Sequence, residues 1–320
     1  SLRREQLAGM NLHYLFHPLE YFLKTQAELG FKTIEMWCGA PHFLVDDEWH
    51  QPCAETKMLA QSYGLDIAVF TPECASYQYL ICAWDEYAHK RALGYYSQGL
   101  HAAGQLGARY MLTNCCGGDW NEEYERTFDR AVNTLRKLAP VAADNGVTIA
   151  VETVRPEESK VIITLPELKR LIDAVGQPNV KAALDTIAMG VAGETPEEWF
   201  HVLGKDIVHT HFVDGRPYGH LVWGDGLYPL DDFIHVLNIN GYEGYLGQEI
   251  WQHLLHSCAE GDVKGGIHDE IRAQGTSLYT EYPLCQFLAG LFFGLPTEVR
   301  HPKCRAFGGA SGSLAGSQGV

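Results

Sequence analysis

The chain has 320 residues, of which 46% are hydrophobic and 20% charged, and its 24 Lys plus Arg against 40 Asp plus Glu give a formal charge of −16. That balance supports a buried core and excludes a largely disordered chain. A net −16 repels phosphate backbones and no Lys/Arg cluster offsets it, which argues against nucleic acid; the longest apolar run, Phe287 to Leu295, is about half of a roughly 20-residue membrane span.

In chain order, short β-rich runs alternate with stretches of helical periodicity. The predicted strands are Gly9 to Leu12, Thr33 to Trp37, Asp66 to Thr71, Tyr110 to Thr113, Thr148 to Glu152, Lys181 to Asp185, Ile207 to His211 and Tyr245 to Glu249. Runs such as Ile149-Ala150-Val151 are continuously apolar, as strands buried on both faces of a parallel sheet should be. Between them, helices are expected over Glu20 to Leu29, Tyr87 to Leu106 and Glu123 to Asp144, stopped by Gly30, Gly107 and Asn145-Gly146. Thr164 with Glu167, and Thr195-Pro196 with Glu198, mark two further helix starts.

Eight strands with intervening helices predict an α/β fold, a (β/α)8 TIM barrel, over residues 1–251. A doubly wound sheet is the competitor, but its glycine-rich nucleotide motifs are missing. Residues 252–320 form an atypical C-terminal tail that replaces or extends the last helix, and its final dozen small and polar residues are expected to be disordered. The tail is either a genuine extension or a frame-shifted end. Ser1 to Ala8 lacks the apolar stretch of a signal peptide, so a cytoplasmic location is expected. The nine cysteines, including adjacent Cys115 and Cys116, then read as reduced thiols, with no Cys-x-x-Cys pair among them.

The chemistry sits at the strand ends. Glu152, Asp185, His211 and Glu249 close four successive strands, about one βα unit apart. In a parallel barrel these ends meet on one face, so the four side chains should converge. Singly, each reads as readily as a helix cap or loop ion pair. Together they would leave several charges unpartnered beside an apolar core, which is costly unless they hold a cation. Three carboxylates and one imidazole suit Mn²⁺ or Mg²⁺, with Co²⁺ and Zn²⁺ as further possibilities.

With these residues in view, the chain resembles the xylose-isomerase-like sugar isomerases and epimerases, and within them the ketose 3-epimerases of fructoselysine type. The resemblance rests also on Ala8-Gly9-Met10-Asn11, Ile34-Glu35-Met36-Trp37, Gly39-Ala40-Pro41-His42, Thr71-Pro72-Glu73 and His211-Phe212-Val213-Asp214-Gly215. It implies that Glu152, Asp185, His211 and Glu249 hold Mn²⁺ or a similar ion. It implies inversion at C3 of a ketose or ketosamine, with Glu152 and Glu249 as the two bases and an enediolate stabilised by the cation. It further implies a dimer or tetramer and a sugar as the small-molecule partner.

Secondary substrate contacts are expected from Glu158, Arg216, His42, Glu73 and Trp37, with Tyr77 as a second aromatic wall. For each, an ion pair, a loop role or simple packing is the competing explanation. Where many ketose 3-epimerases carry a histidine three residues after the metal-binding aspartate, this chain has Ala188, which argues against simple ketoses such as fructose. Two alternatives stay open: an aldose–ketose sugar (phosphate) isomerase with the same site, and a degenerate sugar-binding barrel without turnover. Endonuclease-IV-like barrels need more histidine ligands and a basic groove than this chain offers.

Overall fold

The structure is a computed structural model that describes residues 1–75 and 78–250. Tyr77 and the tail from 252 onward therefore lie outside the described residues. Eight parallel strands close on themselves in sequence order: β1 (Leu7–Met10), β2 (Thr33–Cys38), β3 (Asp66–Pro72), β4 (Tyr110–Asn114), β5 (Thr148–Glu152), β6 (Val180–Asp185), β7 (Ile207–His211) and β8 (Tyr245–Gly247). Closure is made where β8 pairs with β1, Leu246 opposite Leu7 and Gly247 opposite Ala8. The predicted (β/α)8 barrel is thus the observed architecture, and its strands are buried along nearly their whole length.

The helices are α1 (Leu19–Glu28), α2 (Cys53–Ser62), α3 (Glu86–Leu106), α4 (Tyr124–Asp144), α5 (Leu165–Val175), α6 (Thr186–Val191), α7 (Pro196–Leu203) and α8 (Leu230–Ile239). The stop after α3 works as expected: Gly107 has φ +91°, a left-handed conformation that glycine adopts without a Cβ penalty, and its N–H returns to the Ala103 carbonyl. Glu167 and Glu198 reach back to the N–H groups of Thr164 and Thr195 at 3.0 and 2.8 Å, forming the predicted helix starts. Helix α2 shows no apolar period in the sequence because its buried face is Cys53, Thr56 and Ala60, residues too small to produce one.

Most strand boundaries fall within one residue of expectation, and two strands differ by more. Strand β1 ends at Met10 because Asn11 leaves the ladder to bond Trp37 with its side chain, accepting from the Trp37 N–H at 2.6 Å and donating to its carbonyl at 3.0 Å. Strand β8 stops at Gly247, so Glu249 lies two residues beyond the strand. There the Ile250 N–H turns back to the Gln248 carbonyl instead of continuing the pairing. All six described cysteines are free and buried, Cys115 and Cys116 among them. Among the described residues, no helix is long and apolar enough to cross a membrane.

Candidate active site

Glu152, Asp185 and His211 are the last residues of β5, β6 and β7, and register sets Asp185 beside His211 and His211 beside Gly247. Barrel closure brings Glu249 to the same place. His211 Nδ1 lies 2.9 Å from Glu249 Oε2 and 3.2 Å from Glu152 Oε2. Asp185 joins through a residue that carries no marker in the sequence: His220 Nε2 lies 3.1 Å from the same Glu249 oxygen and 3.3 Å from Asp185 Oδ2. The potential ligand atoms of Asp185, His220 and Glu249 lie within 4.8 Å of one another. The structure thus brings the four predicted residues into one buried cluster and adds His220 to it.

The donor set fits a divalent cation. His211 Nδ1 is buried and faces two carboxylate oxygens, yet makes no hydrogen bond of acceptable geometry, the arrangement of a lone pair aimed at a shared centre. Behind it, the other ring nitrogen contacts Glu35 Oε1 at 3.0 Å. A carboxylate behind a ligating histidine is the usual outer support of a metal site. Glu152, Asp185, His211 and Glu249 would hold the ion, and His220 stands beside two of them.

The electrostatics separate the two glutamates. Burial, reinforced by Glu249 and Asp185, pushes the Glu152 carboxyl up to about 7 despite the offsetting His211. Burial also acts on Glu249, but His211 and His220 outweigh it and hold this carboxyl well below the usual range. Against the downward push of burial, Asp185 and Glu249 raise His220 to about 10; Glu249, Glu35 and Glu152 raise His211 in the same way. Two carboxyls pushed in opposite directions form the pattern of an acid paired with a base. A bound cation adds positive charge to this cluster and would lower Glu152 as well.

The surroundings hold these groups in place. Asn114 Nδ2 approaches Glu152 Oε1 at 3.4 Å and Cys74 Sγ at 3.2 Å. Asp185 Oδ1 accepts the Ile187 N–H at 2.8 Å, capping α6. The loop that delivers His220 is organised by Asp214, whose carboxylate accepts the N–H groups of Gly215, Gly224, Gly226 and Tyr228 while its backbone pairs with Leu221.

The other predicted contacts are distributed differently. Trp37 Nε1 donates to Glu73 Oε2 at 3.2 Å, so these two do meet. His42 is buried with both ring nitrogens engaged, Nδ1 to Asn11 at 2.8 Å and Nε2 to the His17 carbonyl at 2.7 Å, and burial lowers its pKa. Glu158 is folded onto Arg155, with contacts to its backbone N–H and guanidinium. Arg216 is exposed and donates to the Asp225 carbonyl at 2.6 Å. Ala188 is buried in α6 and has no polar side-chain atom to offer.

Three residues of this site carried no role in the sequence. Glu35 could have been noticed as a charge inside the apolar run Ile34-Glu35-Met36, and His209 from the period-two spacing of His209 and His211. His220 has no comparable local signal.

Residues 23–273 match the family model described as xylose isomerase-like TIM barrel. The chain is 28% identical over 235 residues to fructoselysine 3-epimerase of Escherichia coli O157:H7, covering 73% of this chain and 86% of that protein. Its structure resembles that of D-psicose 3-epimerase with D-tagatose from Clostridium cellulolyticum H10, with TM-score 0.68, 19% identity and coverage of 88% and 98%. It also resembles apo 3-keto-D-glucoside 4-epimerase from E. coli, with TM-score 0.65, 16% identity and coverage of 87% and 99%.

Proposed function

The chain belongs to the xylose isomerase-like TIM barrel family, and from that premise we propose that it is a metal-dependent epimerase inverting C3 of a ketose or ketosamine of fructoselysine type. Its relatives include ketose 3-epimerases, enzymes of the isomerase class. The observation that carries the reading is the approach of Glu152 and Glu249 to one imidazole nitrogen, at 3.2 and 2.9 Å.

Inverting a carbon next to a carbonyl requires a proton removed from one face and another returned to the opposite face, so two groups are needed. Glu249, held ionised, is suited to take the C3 proton. Glu152, whose Oε2 meets the same imidazole nitrogen, is suited to return one to the opposite face. In the reverse direction the roles exchange. Glu152, Asp185, His211 and Glu249 would hold the cation, Mn²⁺ by preference among ions that accept oxygen and imidazole donors. When bound, it supplies Lewis-acid stabilisation of the charge that develops on the sugar oxygens. His220, touching both Asp185 and Glu249, fixes their orientation. The Trp37–Glu73 pair is the stronger candidate for a sugar contact, whereas Glu158, Arg216 and His42 would have to release protein partners first. The six buried free thiols suit a reducing cytoplasm.

The test follows the substrate hydrogen. Ketoses and ketosamines incubated with enzyme and Mn²⁺ in heavy water are expected to take up deuterium at C3. Label at C1 and C2 would replace the epimerase with an aldose–ketose isomerase, and label at neither position for every sugar would remove both.

A further inference from the structure

Glu35 is a carboxylate in the middle of β2, with 0% exposure. Both its oxygens are engaged: Oε1 accepts the Thr71 hydroxyl at 2.6 Å and meets His211 Nε2 at 3.0 Å, while Oε2 meets His209 Nε2 at 2.9 Å. Strands β2 and β7 are not neighbours; β1 and β8 lie between them. The contact depends on Gly247 in β8, where an added Cβ would stand 2.2 Å from Glu35 Oε2 and 3.0 Å from the His209 ring. A carboxylate, two imidazoles and a glycine from three strands therefore fit together at one point.

A neutral imidazole, the form that binds a metal ion, keeps its lone pair on one ring nitrogen when it donates through the other. His211 has its Nε2 against Glu35 and its Nδ1 toward Glu152 and Glu249. Resting on the metal-site reading above, we propose that Glu35 is a positioning residue: with His209 and Thr71 it holds His211 as an Nε2–H donor, so that Nδ1 is the atom that binds the divalent cation. The second histidine and the threonine saturate Glu35 and keep it from rotating away. Gly247 keeps the space open.

The unsubstituted protein tests this first. Long-range ¹H–¹⁵N correlation of the Zn²⁺-loaded protein is expected to show the His211 proton on Nε2 and the metal-shifted resonance on Nδ1; a proton on Nδ1 overturns the proposal. Two variants then read the affinity. Glu35→Gln sets an amide NH₂ against an imidazole N–H, and Gly247→Ala crowds the carboxylate. Either one, folded by circular dichroism, is expected to bind Mn²⁺ about 10- to 100-fold more weakly in an EPR titration, with partial recovery in Glu35→Asp. Unchanged affinity in a folded variant overturns the proposal while leaving the metal site standing. Wild-type protein that binds neither Mn²⁺ nor Zn²⁺ at millimolar concentration removes the metal site itself, and this proposal with it.

Discussion

Glu152 and Glu249 share His211 yet differ in environment, since Glu249 also touches the His220 imidazole while Glu152 faces Asn114. A neutral amide at either place removes one of the two proton carriers. Glu152→Gln and Glu249→Gln, assayed at saturating Mn²⁺, are expected to lower the epimerisation rate by about 10²- to 10⁴-fold. The finer expectation is asymmetric. Each variant should still exchange the C3 hydrogen of the epimer that its surviving glutamate can reach, so deuterium uptake by ¹H NMR should outlive interconversion. Loss of both together in both variants would mean that the glutamates serve only as ligands.

The helix starts and the loops between strand and helix are stabilised by polar groups at definite points. Thr195 Oγ1 accepts the Glu198 N–H at 3.3 Å at the start of α7, and Thr195→Ala is expected to cost about 1 kcal/mol in urea unfolding. Before α4, Glu122 receives both terminal nitrogens of Arg130, at 2.6 and 3.0 Å, and the Thr127 hydroxyl at 2.7 Å. The Arg130 guanidinium lowers the Glu122 carboxyl from its ordinary 4.5 to about 2. A carboxyl held lower in the folded state stabilises the fold above its unfolded pKa and loses that contribution as pH falls through the folded one. Glu122→Gln should therefore cost about 1–2 kcal/mol at pH 7, and the difference should shrink between pH 4.5 and about 2. A cost independent of pH in paired urea titrations would assign the effect to packing.

Across the whole barrel, a cation held by Glu152, Asp185, His211 and Glu249 would join β5, β6 and β7 to the segment that follows β8. Binding to the folded state alone stabilises by mass action, by about 2.7 kcal/mol when the ligand is at 100 times its dissociation constant. For a chain of this size that corresponds to a rise in Tm of about 4 °C on adding Mn²⁺, reversed by chelator. An unchanged Tm in calorimetry would exclude a site built across the strands. The net charge of −16 acts at this scale too, opposing polyanions.

The sequence by itself determined the barrel and the main polar quartet. Apolar runs, glycine stops and capping residues are local signals, and a ligand that ends a strand is visible as the charged residue after an apolar stretch, as at Glu152 in Ala150-Val151-Glu152. Trp37 and Glu73, whose side chains meet, lie near the ends of β2 and β3. What only the tertiary structure decided is which partner each group takes. Glu35 meets His209 and His211 across 174 and 176 residues of chain, and His220 reaches Asp185 and Glu249 because Asp214 shapes its loop. Glu158 pairs with nearby Arg155, and Arg216 donates to the Asp225 carbonyl. Such contacts arise from barrel closure and loop hydrogen bonding, which bring together atoms whose proximity no local pattern of residues encodes.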